Sequence, residues 1–169
     1  MNLLKNALLA IVVLASVGFV DDVRAQVTPT SITTDFQVTI TITESCTITA
    51  TAVDFGDVIR NTADTATGTL TVRCPVGTPY AVSLNEGTYP VGGPITLTSR
   101  RMANATAYVP YGLRTSAGGP VWGNTAASDV NGTGTNLDQL LTVYADVTAT
   151  ATNVPRGDYT DTVTATITY

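Results

Sequence analysis

The chain contains no histidine, and its single lysine, Lys5, lies at the extreme N-terminus. The first absence excludes a Ser-His-Asp triad and every imidazole metal site. The second leaves nothing after residue 5 for a Ser-Lys pair, a Schiff base or a lysine isopeptide staple. Charge is sparse: charged residues make up 12% of the chain, and the net charge is −5. An acidic chain with so few cations argues against nucleic acid or an anionic membrane as a partner. Glutamate is scarce and leucine is scarce beyond the leader, which disfavours helices. Long apolar runs are absent with one exception, Ala7 to Val20, and that run is shorter than the ~20 residues a spanning helix needs.

That run has a different reading. Lys5 precedes it, and Val23-Arg24-Ala25 places small residues at the −3 and −1 positions of a cleavage site before Gln26. This is the layout of a secretory signal peptide over residues 1–25. No cysteine follows the run, which argues against a lipid anchor, and no other segment is apolar enough to insert in a membrane. Removing the first 25 of 169 residues leaves 144, six Arg and eleven acids, still at −5. That length suits one domain with a real core. It is too short for a comfortable pair of domains, such as a lectin domain plus an anchoring domain. The two cysteines, Cys46 and Cys74, read most simply as one disulfide in an exported protein.

What is abundant is threonine, about a fifth of the residues, with valine, alanine and glycine. Threonine and valine favour strands. Alternation of apolar and polar residues marks half-buried strands at Phe36–Ile42, Cys46–Ala50, Leu70–Cys74, Tyr80–Leu84, Leu141–Val147 and Val163–Tyr169. A short strand is expected at Ile95–Thr98. Tyr108–Leu113 is extended, with Pro110 placing it at an edge or bulge. Residues 116–134 read as loop and contain the only tryptophan, Trp122. Turn signals every 8–12 residues or so between short strands point to an all-β sandwich or barrel.

The remaining motifs carry little chemistry. Asp54 and Asp57, and Asp158 and Asp161, sit in turns and read as exposed acids rather than a glycosidase pair. Asp129 to Gly134 begins like a calcium loop, but its twelfth position is Leu140, where a bidentate carboxylate belongs. No catalytic residue, cofactor or metal is expected, and the chain does not read as an enzyme.

Ordered pieces of the sequence carry a resemblance. They are the alternating run before Cys46, Asp54-Phe55-Gly56, Val72-Arg73-Cys74, Pro79 to Leu84, Arg101-Met102, Pro110 to Leu113, Val121-Trp122-Gly123, Gly132-Thr133-Gly134, and Pro155 to Val163 running into Tyr169. From Phe36 to Tyr169 the chain resembles the spore coat protein U domain family, which includes subunits of the archaic chaperone–usher pili. The resemblance implies an immunoglobulin-like β-sandwich lacking its final strand. It implies that a periplasmic chaperone, and then the N-terminal extension of the next subunit, fills the gap by donor-strand exchange. It also implies an outer-membrane usher and a cell-surface fibre.

On that reading residues 26–45 form an N-terminal extension and residues 46–169 the sandwich domain. Phe36, Val38, Ile40 and Ile42 share one face and form the donor strand. The alternative is that they are the first strand of their own domain. The link Thr43-Glu44-Ser45 favours the donor role, because three residues span only about 10 Å. Val163, Ala165, Ile167 and Tyr169 are expected to border the groove as the chaperone-contact strand. Open sheet edges invite pairing with another chain, so assembly with like subunits is the leading expectation, in support of adhesion or biofilm formation. A secreted spore-coat or matrix protein is the alternative. A carbohydrate-binding module using Trp122 and nearby tyrosines is a third.

Overall fold

Side chains that alternate between apolar and polar commit a strand to one wet face and one dry face, and two such sheets bury each other. The computed structural model describes residues 27–105 and 107–169, so the expected signal segment 1–25 lies outside it. The chain divides after Ile40. Residues 27–46 form no strand. Phe36, Val38, Ile40 and Ile42 are 82–85% exposed. The strand expected there is therefore absent from the single chain, for a physical reason: a strand exists only when its ladder has a partner.

The second unit holds eight strands: β1 (Thr47–Ala50), β2 (Asp64–Arg73), β3 (Pro79–Leu84), β4 (Arg100–Ala103), β5 (Tyr108–Arg114), β6 (Val130–Thr133), β7 (Gln139–Val147) and β8 (Ala165–Thr168). No helix occurs among the described residues. One sheet runs β1-β2-β7-β5-β4 and the other β6-β3-β8. Every pairing is antiparallel. Expected alternations become the core. Leu70 and Val72 of β2, Tyr80, Val82 and Leu84 of β3, and Val143, Ala145 and Val147 of β7 are all buried. Each of these valine and leucine side chains contributes about 1.5–3 kcal/mol. The all-β sandwich expected from the sequence is the fold observed.

Register explains the disulfide. β1 pairs with β2 through Thr47↔Arg73, which sets Cys46 opposite Cys74. The two are bonded, with a Cα–Cα distance of 4.3 Å. Pro110 lies in the part of β5 that pairs only with β4, opposite Arg101, while Gly112 to Arg114 pair with β7. A segment with one neighbour tolerates the missing donor.

Two further expectations fail. Ile95–Thr98 forms no strand, and the strand begins instead at Arg100. There Ser99 Oγ accepts from Thr96 N and donates to Thr96 O, closing a turn. Residues 130–133, read as loop, form β6 because the free edge of β3 pairs with them from Pro79↔Thr133 to Val82↔Val130.

Candidate functional site: an open apolar cleft

The two sheets leave a cleft of about 590 Å³. One wall is the chain from Ile48 to Phe55, which includes most of β1 and its continuation. The other is the segment from Tyr159 to Val163, with Ala165 of β8. The floor is core: Leu70, Leu84, Met102, Tyr111, Leu113 and Val143 reach it from five different strands. Sheet order makes both flanking strands terminal. β1 ends the five-stranded sheet and β8 ends the three-stranded sheet. The cleft is therefore apolar at its base and bounded by strands with an unpaired side.

A buried polar frame holds one part of this floor. Arg100 is fully buried. Its Nε donates to Asn85 O at 2.8 Å, and its Nη2 donates to Leu84 O and Trp122 O, both at 2.9 Å. Its Nη1 has no protein acceptor. Burial lowers the Arg100 pKa, while Tyr111, Asp161 and Glu86 pull it back up. A guanidinium stays charged at neutral pH through such a shift. It therefore acts as a fixed cation that ties the end of β3 to the Trp122 backbone.

Beside it, the Tyr111 hydroxyl donates to Asp161 Oδ2 at 2.6 Å. The Asp161 Oδ1 atom accepts from Thr88 N and Thr162 N, each at 2.7 Å. Burial, then the hydrogen bond to Asp161, then the charge of Asp161 push the Tyr111 pKa far above its ordinary value. Asp161 is thus a partnered structural carboxylate, contrary to its reading as an exposed acid. Asp158 is exposed as expected.

The residues singled out in the sequence fall in different places. Val163 and Ala165 line the cleft. Ile167 packs against the core without lining the cleft, and Tyr169 is 54% exposed. Trp122 is buried, and its Nε1 donates to Val82 O at 2.8 Å. It therefore presents no face to a sugar, which removes one of the aromatics on which the carbohydrate reading rested, the tyrosines being the others. Among the described residues no cluster of His, Cys, Asp or Glu could hold a metal ion, and no helix is long and apolar enough to cross a membrane. Sequence reasoning missed Arg100, Met102 and the wall from Ile48 to Phe55. The one local signal was an arginine pair opening a short strand.

The Spore Coat Protein U domain model matches residues 32–166. The chain belongs to the Spore Coat Protein U domain family. Protein U of Myxococcus xanthus, a similar protein, is 37% identical over 107 residues, covering 61% of this chain and 59% of that protein. Among solved structures, the fold is similar to a chain in the pre-assembly complex of the chaperone CsuC with the tip adhesion subunit CsuE, from the archaic chaperone–usher Csu pili of Acinetobacter baumannii. The match has a TM-score of 0.58 and 26% identity, and it covers 76% of this chain and 40% of that one. The chain thus spans less than two thirds of the length of either protein. Both the family and the immunoglobulin-like sandwich agree with the sequence reading.

Proposed function

We propose that this chain is a non-catalytic structural subunit of an extracellular fibre, built by the chaperone–usher route through donor-strand exchange. The observation that carries the reading is the cleft, which reaches down to core side chains between two terminal strands. An apolar groove beside an unpaired strand edge fits an added strand, which supplies ladder hydrogen bonds and alternate side chains. The occupant is the segment from Phe36 to Ile42 of another copy. Its four apolar residues are 82–85% exposed. Burying them contributes about 6–12 kcal/mol before ordering costs. That suits a long-lived joint.

On this reading the signal segment directs the chain to the periplasm, where a chaperone occupies the cleft until an outer-membrane usher exchanges it for the next subunit. Val163, Ala165, Ile167 and Tyr169 form the edge that the chaperone reads. The fibre stands on the cell surface and serves adhesion or biofilm formation. The similarity to a chaperone-bound pilus subunit supports this. Protein from the cell surface should appear as filaments by electron microscopy. In solution, a peptide covering Thr34 to Thr43 should bind the mature chain and raise its thermal midpoint. A monomeric surface protein indifferent to that peptide would overturn the reading.

The similarity to Protein U favours a second reading, a secreted coat or matrix protein. Chaperone and usher genes beside this gene would favour the fibre, and their absence the coat.

A further inference from the structure

Gly68 stands on the inward face of β2, in phase with Ala66, Leu70 and Val72, and is itself buried. An alternating strand ordinarily spends such a position on a core side chain. Here the space is taken by the chain that follows β1. At Thr51 that chain leaves the sheet. Thr51 N still donates to Thr69 O at 2.8 Å, but Thr69 N donates to the Thr51 hydroxyl at 2.9 Å. Beyond this point the backbone crosses the inner face of β2. A Cβ added at residue 68 would lie 2.7 Å from Val53 Cγ2, 3.1 Å from Thr51 O and 3.3 Å from Ala52 O. Thr51, Ala52 and Val53 all line the cleft.

We infer that Gly68 is a positioning residue for strand capture: its missing side chain lets the wall at residues 51–53 cross β2, and so sets the width of the cleft. The inference rests on the strand-exchange reading and names the position that shapes the acceptor. Two of the three crowding atoms are backbone oxygens, which cannot rotate aside, so an added methyl group must displace the wall itself. An inserted strand needs its neighbours within about 5 Å and its hydrogen bonds near 2.9 Å. A wall moved by a fraction of an ångström therefore loses ladder contacts all along its length.

The test uses the mature chain in three forms: wild type, Gly68→Ala and Gly68→Ala/Val53→Ala. Each is titrated with a labelled peptide covering Thr34 to Thr43, and its thermal midpoint is measured without peptide. Gly68→Ala should bind the peptide about tenfold or more weakly, the scale of a core overpacked by one methyl group. The double variant removes Val53 Cγ2 and should recover at least part of that loss. Because its own segment 36–42 is untouched, Gly68→Ala should still donate its strand to wild-type copies in a mixed assembly. A Gly68→Ala chain whose midpoint falls while its peptide affinity stays at the wild-type value overturns the inference. So does a double variant that binds no better than the single one, whether or not it folds. If wild type itself fails to bind the peptide, strand exchange falls first and this inference falls with it.

Discussion

Replacing Val38 and Ile40 together with Asp should abolish assembly while leaving the acceptor domain intact. Both side chains are fully available to a partner, at 82% and 84% exposed. Losing their burial removes about 3–6 kcal/mol of the roughly 6–12 kcal/mol that the four apolar residues contribute. The two new carboxylates add several kcal/mol each on entering an apolar cleft without cations. The cleft offers them no relief. Asp161 already lines it, and no arginine is among its lining residues. Slipping by one residue would turn Thr39 and Thr41 inward instead, so register offers no escape. The assay is a mixing experiment on purified, oxidised mature chains, read by size-exclusion chromatography and electron microscopy. The double Asp variant should accept a wild-type strand but never donate its own. Thr39→Asp/Thr41→Asp, on the opposite face of the same segment, should assemble. Filaments from Val38→Asp/Ile40→Asp at the wild-type rate would refute the reasoning.

Three further outcomes concern the domain itself, and the single tryptophan, Trp122, reports them by fluorescence in urea. Replacing Cys46 and Cys74 with alanine opens a cross-link of sequence separation 28 and should lower stability by about 3–4 kcal/mol in the chain-entropy account. Arg100→Met strands the carbonyls of Leu84, Asn85 and Trp122. Each unmet acceptor costs about 1–3 kcal/mol, offset by relief of a buried cation, for a net loss of about 3 kcal/mol. Arg100→Lys, with no fork to reach three acceptors, should recover only part of that, and a Met variant as stable as wild type would refute the account. Tyr111→Phe loses its bond to Asp161 and about 1.5–3 kcal/mol at neutral pH. The Tyr111 pKa is raised on folding, so above the unfolded value of about 10 the native state holds a proton that the unfolded chain releases. Stability should therefore fall with rising pH by up to about 1.4 kcal/mol per unit from this one group, and Tyr111→Phe should remove that component.

Local pattern was enough for the strands that form the core. Leu70 and Val72, Tyr80 to Leu84, and Val143 to Val147 alternate in the sequence and alternate in burial. A period of two residues is a property of the strand itself and needs no knowledge of its neighbours. The link between Cys46 and Cys74 was legible too, since the chain has no other cysteine.

Strands with weak patterns were decided elsewhere. Val130–Thr133 is short, polar and carries a glycine, and it is a strand only because β3 has a free edge beside it. Nothing along the sequence marks Arg100 as a core residue. It is buried because three carbonyls, from residues 84, 85 and 122, converge on it, and convergence across such separations leaves no periodic trace. Asp161 found Tyr111 and Thr88 in the same way.

By itself the sequence determined the class of the molecule: an all-β domain with one disulfide, no histidine and no lysine after residue 5, and four apolar residues at alternate positions from Phe36 to Ile42. These follow from composition and from periods along the chain. Only the tertiary structure decided that a cleft reaches the core between the first and last strands of the sandwich, and that the wall of this cleft crosses β2 at Gly68. A cleft is a relation among segments more than a hundred residues apart, from Ile48 to Ala165. Its width depends on a side chain that is not there, and an alternating pattern cannot record that.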